Sequence, residues 1–133
     1  MRVLAIAACA ALAACAAQPP SPTEIAKSQA ELQKLIGGKV AGKPITCLPH
    51  YRADDMVRID DRTIAFRQGS TVFVNHLNGE CSNLKSSFYA LVTRGNGMGL
   101  CNGDIAQVRD LSNGITVGAC ALGDFIPYSP PRP

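Results

Sequence analysis

The chain has 133 residues, with 13 lysines and arginines against 10 aspartates and glutamates, so its formal net charge is only +3. A charge this small and this evenly spread gives no electrostatic reason to expect a nucleic-acid partner. The length is that of one small domain, and aromatic residues make up 5% of it. We therefore expect a single domain with a small core, and no nucleic-acid binding.

Residues 1–14 have the layout of a secretory signal. Arg2 supplies a positive charge, and the apolar segment from Val3 to Ala14 follows it directly. This segment is too short to cross a hydrocarbon layer about 30 Å thick as a helix, so it is not expected to be a transmembrane anchor. Removing residues 1–14 leaves 119 residues with 12 basic and 10 acidic side chains.

The end of the signal, Leu12–Cys15 with the sequence Leu-Ala-Ala-Cys, resembles the lipobox of bacterial lipoproteins. In those proteins a peptidase cuts before the cysteine, and lipid is attached to it. The resemblance implies lipidation at Cys15, a proline-rich tether at 15–21 and membrane attachment through acyl chains. Ala16 stands where an aspartate would favour the inner membrane, so we expect the outer membrane, with the domain facing the periplasm. A simple secretory signal cut after Ala16 or Ala17 is the alternative.

A helix-start signature follows the tether. Ser21 can act as the N-cap, Pro22 suits the first helical position, and Glu24 has the spacing of a capping box. Apolar residues recur along one stripe as far as Ile36, and two glycines then end the pattern. The sequence predicts a helix at 22–36 that docks on the domain.

From Ile45 onward the apolar pattern changes to a period of two, which is typical of strands. Turn signals separate the apolar runs, including four Asn-Gly pairs. We predict a mainly β domain at 37–128, an antiparallel barrel or sandwich of about six or seven strands. The proline-rich tail from Pro127 onward lacks the donors that extend a sheet, so we expect it to be loose, with residues 129–133 beyond the domain. The predicted strands are 56–59, 62–66, 71–77, 88–93, 105–109 and 115–120.

Four cysteines lie beyond the proposed anchor: Cys47, Cys81, Cys101 and Cys120. An even number of cysteines in a small exported domain predicts two disulfides. The absence of a Cys-x-x-Cys pair argues against zinc ribbons and thioredoxin-type redox sites. Three pairings are possible. We favour Cys47–Cys120 with Cys81–Cys101, because the first would join the first strand of the domain to its last and the second would close a local loop.

No constellation of polar residues predicts a catalytic, cofactor or metal site. The acid pairs at 54–55 and 60–61 lack the pattern of a calcium loop and are better explained as turn formers. His50 and His76 lack a third candidate ligand of comparable strength. Asp104 is expected to accept a hydrogen bond from a nearby backbone amide and to hold the loop after Cys101. We therefore expect no enzyme activity.

Five segments resemble a family of small Gram-negative envelope proteins, and together they contain all four cysteines of the domain. The resemblance implies an exported domain; the family carries no known activity, so it implies no catalytic or binding residue. We expect a membrane-anchored protein with a structural or binding role and, as its partner, a protein of the envelope. The segments are 38–49, 59–66, 74–81, 100–105 and 120–127.

Two other functions stay open. Lysozyme inhibitors are small, disulfide-bonded, often lipidated β-barrels that insert a loop into the enzyme cleft. Gly95–Gly99 would be that loop here, although it lacks the serine and lysine such loops normally use. It also lacks the Lys-Ser/Thr of a phosphate-binding loop, so a hairpin connection is the simpler interpretation. An envelope hydrolase is the third candidate.

Overall fold

One α-helix and ten β-strands form the part of the chain that the computed structural model describes, residues 18–95 and 97–133. The signal segment, the lipobox and Cys15 lie outside these residues. The helix α1 is Pro22–Ile36, and a 3-10 turn covers Ala53–Asp55. The strands are β1 (Val40–Ala41), β2 (Cys47–Leu48), β3 (Met56–Asp60), β4 (Thr63–Gln68), β5 (Thr71–His76), β6 (Tyr89–Thr93), β7 (Leu100–Cys101), β8 (Ile105–Asp110), β9 (Thr116–Ala121) and β10 (Phe125–Ser129).

The helix begins at the capping residues that the sequence predicts. The Ser21 hydroxyl accepts a hydrogen bond from the Glu24 amide at 3.3 Å, and the Glu24 carboxylate accepts one from the Ser21 amide at 2.8 Å. The Ser21 amide, and after it the Ser21 hydroxyl, stabilise the ionised carboxylate and so lower the pKa of Glu24. The predicted helix at 22–36 is confirmed.

The strands pair into three antiparallel sheets. The largest has the order β1-β10-β5-β4-β3, the second has the order β6-β8-β9, and β2 pairs with β7. Among the described strands, seven have five or six residues and three have two. The prediction of a mainly β fold with one helix and antiparallel strands is confirmed, and the sheets of the described residues do not close into a barrel.

The five-stranded sheet is covered on both faces. One face meets the β6-β8-β9 sheet across the main core, where Phe66 and Phe125 are the largest buried side chains. The other face carries a second apolar cluster, against which the C-terminal half of α1 packs through Leu32, Leu35 and Ile36. The predicted docking of the helix is confirmed, and the order of layers is α1, five-stranded sheet, core, three-stranded sheet.

A bend between β9 and β10 joins the two larger sheets. Ala121, the last residue of β9, exchanges backbone hydrogen bonds with Asn78, and Phe125 at the start of β10 pairs with Asn75 of β5. Within the bend, the fully buried Asn75 side chain donates to the Gly123 carbonyl at 2.7 Å and accepts from the Gly123 amide at 2.9 Å. The side chain thus satisfies the two backbone groups that the bend would leave buried and unpaired.

The disulfide pairing differs from the one favoured above. Cys47 is bonded to Cys101 and Cys81 to Cys120, so the preference for Cys47–Cys120 with Cys81–Cys101 is wrong. The physical reason is strand register: β2 pairs with β7, which sets Cys47 directly opposite Cys101. Asn78, three residues before Cys81, forms a backbone bridge to Ala121 at the end of β9, and this bridge brings Cys81 close to Cys120. The prediction that all four cysteines form two disulfides is confirmed.

The C-terminal segment is more ordered than predicted. Residues 125–129 form β10, which pairs with β5 on one side and β1 on the other, so the expectation of a loose chain from Pro127 onward is wrong up to Ser129. The Pro127 carbonyl accepts a bond from the Gly42 amide at 2.7 Å. In an antiparallel sheet the amide and the carbonyl of one strand residue point to the same neighbouring strand. The side of Pro127 that lacks an amide hydrogen therefore points to β1, which has only two residues, so little pairing is lost. Residues 130–133 have no regular structure and are exposed, as expected.

Removing either disulfide is expected to destabilise the domain substantially. The bridges join residues 54 and 39 positions apart, and the chain-entropy model gives about 4 kcal/mol for each loop. Urea unfolding of the Cys47→Ala/Cys101→Ala and Cys81→Ala/Cys120→Ala variants measures the loss. Digestion without reduction, followed by mass spectrometry, should yield peptides linked 47–101 and 81–120, and a peptide joining Cys47 to Cys120 would contradict the structure.

Replacing Asn75 should destabilise the domain more than replacing an exposed amide. Asn75→Ala leaves the amide and the carbonyl of Gly123 buried without partners, which costs about 2–4 kcal/mol in the free energy of unfolding. Gln33→Ala, which removes an exposed amide from α1, is the matched control and should change it by less than about 0.5 kcal/mol. Equal effects of the two substitutions would show that the Asn75–Gly123 bonds do not stabilise the bend.

Candidate functional site

The most exposed apolar side chains of the three-stranded sheet lie at one of its ends. Phe88 directly precedes β6, while Leu111 and Ile115 lie in the turn between β8 and β9, and they are 76%, 65% and 61% exposed. The Leu111 amide donates to the Phe88 carbonyl at 3.0 Å, and the Asp110 amide donates to the Ile115 carbonyl at 2.9 Å. These bonds make the three residues neighbours, and we call Phe88, Leu111 and Ile115 the apolar tip.

The sequence alone did not reveal the apolar tip. Two of its members are the first residues of the predicted strands at 88–93 and 115–120, whereas β6 and β9 begin one residue later. Phe88 and Ile115 therefore lie in connections rather than in the sheet. The available signal was Leu111, an apolar residue followed by Ser-Asn-Gly in a turn, where polar residues are the rule.

Exposed apolar side chains are concentrated on the three-stranded sheet. Of the nine large apolar residues that are exposed in the described part of the chain, five belong to this sheet or its turns. Besides the apolar tip, they are Ile105 of β8 and Val117 of β9. The five-stranded sheet differs, because α1 packs against the apolar cluster on the face that points away from the main core. An apolar surface that is concentrated in this way is typical of a contact site.

A shallow hollow of about 480 Å³ lies against the apolar tip. Its polar lining includes Ser87, Asp110 and Ser112. The Asp110 carboxylate accepts hydrogen bonds from the Ser112 hydroxyl at 2.6 Å and from the Ser112 amide at 2.7 Å. The hydroxyl bond first, and then the amide bond, lower the pKa of Asp110. The carboxylate is therefore ionised at neutral pH and holds the turn that carries Leu111 and Ile115.

The glycine-rich loop, residues 95–99, follows β6 and so lies at the opposite end of the three-stranded sheet from the apolar tip. Gly99 has a φ of +107°, and a Cβ added there would collide with the Leu48 carbonyl, while a Cβ at Gly95 would collide with the Gly99 carbonyl. The loop is therefore packed closely against the chain that follows β2, and the disulfide between β2 and β7 holds its base. Asn96 lies outside the described residues. A second shallow hollow, of about 410 Å³, is lined by Pro49, His50, Tyr51, Gly95, Gly97 and Gly99.

Acidic residues singled out in the sequence hold turns. Asp60 accepts a hydrogen bond from the amide two residues later at 2.8 Å, and Asp61 accepts one from the Leu84 amide at 2.9 Å. The Asp104 carboxylate accepts a bond from the Cys101 amide at 2.8 Å. The predicted roles of Asp60 and Asp104 are confirmed, whereas the Asp61 carboxylate holds a turn 23 residues further along the chain rather than its own.

The two histidines are not brought together. His76 ends β5 beside the turn between β3 and β4, whereas the His50 carbonyl accepts a hydrogen bond from Gln68 at the far end of β4. Asp54 and Asp55 lie in the 3-10 turn that precedes β3. Within residues 18–95 and 97–133, no group of three or more histidine, cysteine, aspartate or glutamate residues has the arrangement of a metal site.

Comparison with known proteins gives no match: no family model fits the chain, and no curated protein or solved structure is similar to it. The resemblances to a lipobox and to a family of envelope proteins therefore stay predictions. Within the residues that the structure describes, no helix combines the length and the apolarity needed to cross a membrane.

Asp110→Ala is expected to destabilise the domain near neutral pH and to have little effect in acid. Because folding lowers the pKa of Asp110, its stabilising contribution is present above the unfolded pKa of about 3.9 and is lost as the pH falls through the folded value. Urea unfolding from pH 7 down to about pH 2 measures the difference from the wild type. Asp54→Ala, in the 3-10 turn, is the control. If Asp110→Ala lowered the free energy of unfolding as much in acid as at pH 7, the ionised Asp110 carboxylate would not be the source of the stabilisation.

Proposed function

We propose that the chain is a bacterial envelope lipoprotein whose disulfide-bonded β domain acts as a non-enzymatic binding or structural module. Lipid is attached at Cys15, and the domain faces the periplasm from the outer membrane. The observation that carries this proposal is the sequence Leu-Ala-Ala-Cys at 12–15, placed between an apolar signal and a proline-rich tether. A protein of the envelope is the proposed partner.

The disulfides support export. Disulfides persist in the periplasm, whereas cytosolic thiols are kept reduced. Cys81 and Cys120 are 0% and 6% exposed and belong to the main core, so their bond is part of the packing of the domain. A chain with such a core gains the stability of this bond only in an oxidising compartment, and the signal at 1–14 would deliver it there.

The roles of the polar residues support a module that binds or holds rather than one that catalyses. Asp60, Asp61, Asp104 and Asp110 all use their carboxylates to accept hydrogen bonds from turn amides. Five of the nine exposed large apolar residues in the described part of the chain belong to the three-stranded sheet or its turns. Surface of that kind suits contact with another envelope component.

An inhibitor of a lysozyme-type enzyme is the second candidate. The observation that favours it is the Gly95–Gly99 loop, which a disulfide holds at its base and in which Met98 is 66% exposed. The Gly99 side of the loop, packed against the Leu48 carbonyl, would lose little freedom on entering a cleft. The loop carries no lysine or serine that could pair with acidic groups in such a cleft. Stoichiometric inhibition of lysozyme by the purified protein would favour this candidate over the first.

Cys15→Ser is expected to abolish lipidation and membrane attachment. The wild-type chain, expressed in a Gram-negative host supplied with labelled palmitate, should carry label and sediment with the outer membrane. The Cys15→Ser chain should carry no label, because the thiol that receives the lipid is gone. Fractionation of the envelope and autoradiography measure both properties.

Cys9→Ser is the matched control, since it changes a cysteine within the same apolar segment. This variant should be labelled and membrane-bound like the wild type. Label retained by Cys15→Ser would refute the anchor assignment. An unlabelled wild-type chain recovered in the soluble periplasm would instead indicate a simple secretory signal.

A further inference from the structure

We propose that the Cys47–Cys101 disulfide is a site of reversible thiol–disulfide exchange with a dithiol, whereas Cys81–Cys120 is a permanent structural bond. The inference goes beyond the proposed function and does not depend on the lipid anchor. Opening the first bond would loosen the glycine-rich loop without unfolding the domain. The argument uses the exposure of each bond, the contacts that hold β2 and β7 apart from the bond, and the close packing at Gly99.

The Cys47–Cys101 bond lies on the outer side of the β2–β7 pair. Successive side chains of a strand point to opposite faces, and Leu48 and Leu100, each 1% exposed, point into the main core. Their neighbours Cys47 and Cys101 therefore point away from it. Cys101 is 7% exposed, but Cys47 is exposed to a greater extent. A thiol in solution can therefore approach this bond from the side of Cys47.

The Cys81–Cys120 bond is shielded by the main core, to which both cysteines belong. Cys81 is 0% exposed and Cys120 6%. The sulfur of Cys81 lies 3.7 Å from the carbonyl oxygen of Ala106, a residue of β8 that is itself fully buried. The rate of exchange depends on access of the attacking thiolate to the sulfur, so this bond exchanges only when the core opens.

The exchange takes place in two steps. One thiolate of the dithiol attacks Cys47 Sγ, the S–S bond breaks, and Cys101 Sγ leaves with the electron pair. The second thiolate of the dithiol then attacks the dithiol sulfur of this mixed disulfide and releases Cys47. The dithiol is oxidised to a disulfide, and its two protons pass to the Cys47 and Cys101 thiols that are formed. The same steps in reverse restore the bond.

The Cys47–Cys101 pair shares no backbone hydrogen bond. The Cys101 amide donates to the Asp104 carboxylate at 2.8 Å, and the Cys101 carbonyl accepts from the Asp104 amide at 3.0 Å. Both groups therefore point away from β2. The neighbouring pair is joined, because the Asn102 amide donates to the Thr46 carbonyl at 2.8 Å. Opening the disulfide thus removes no backbone hydrogen bond between the two strands.

Each strand is also held to the rest of the domain by its own contacts. Ile45, just before β2, exchanges two backbone hydrogen bonds of 2.9 Å with Phe125 of β10. Gly103, just after β7, donates its amide to the Leu122 carbonyl at 2.8 Å. The two thiols therefore stay close to each other after reduction, and the bond can form again.

The part that the open bond would release is the Gly99 side of the glycine-rich loop. Gly99 lies so close to the Leu48 carbonyl that a Cβ would collide with it. Cys47 directly precedes Leu48, and Cys101 follows Gly99 by two residues, so the disulfide holds these two backbones together. Without it, only local contacts hold the loop, and local opening becomes more frequent. The hollow beside His50 would change with it.

A titration with dithiothreitol, a small dithiol, tests the exchange. The native protein is purified without reductant, treated near neutral pH and blocked with N-ethylmaleimide, and mass spectrometry locates the labelled cysteines. Cys47 and Cys101 should be labelled at about one tenth of the dithiothreitol concentration that labels Cys81 and Cys120. Circular dichroism should keep its strand signal, and removing the dithiol in the presence of oxidised glutathione should restore the 47–101 peptide link.

The same titration in concentrated urea is the control, because the unfolded chain shields neither bond. Both bonds should then open together. Simultaneous opening of the two bonds in the native protein would overturn the proposal, as would loss of the strand signal when Cys47–Cys101 opens. Selectivity that persisted in urea would also overturn it, because the fold would not be its source.

Limited digestion with trypsin tests the release of the loop. Arg94 is exposed and directly precedes Gly95, and Lys27 on the exposed side of α1 is the control site in the same chain. Opening Cys47–Cys101 should speed cleavage after Arg94 about tenfold and leave cleavage after Lys27 unchanged. Cys47→Ala/Cys101→Ala should be cleaved at the faster rate with or without the dithiol. Unchanged cleavage after Arg94, or equal acceleration at both sites, would overturn the release of the loop.

Discussion

Two disulfides connect parts of the domain that short strands alone would join only weakly. One fastens β2 to β7, which pair over two residues each, and holds the end of the core beside the glycine-rich loop. The other, Cys81–Cys120, lies within the main core and ties the chain after β5 to β9. The domain therefore gains the stability that these bonds supply only where thiols can oxidise. This dependence supports the proposed export.

The bend at Gly123 lets the chain pass from the three-stranded sheet to the five-stranded sheet. Because the buried Asn75 side chain satisfies the backbone of the bend, β9 can finish one sheet and β10 can begin the other. β10 then pairs with β1, the strand that directly follows α1. β1 thereby joins the C-terminal end of α1 to the five-stranded sheet.

Local signals predicted the local elements, because capping and tight turns depend on residues three or four positions apart. Ser21, Pro22 and Glu24 were sufficient for the helix, and the Asp60–Asp61 turn for a hairpin. The cysteine pairing was wrong because it depends on which strands become neighbours, a long-range property that spacing does not encode. The sequence shows that Pro127 has no amide hydrogen to donate. It does not show that this side of the residue points to β1, a strand of only two residues. The apolar tip was missed because its apolar residues continue the strand pattern into the turns.

The intact mass of the native protein, purified from cells without reduction, tests the central claim most directly. The account predicts a chain that begins at Cys15, carries acyl chains, and has the mass of two disulfides rather than four thiols. A chain that still begins at Met1, with every thiol reduced, would contradict it.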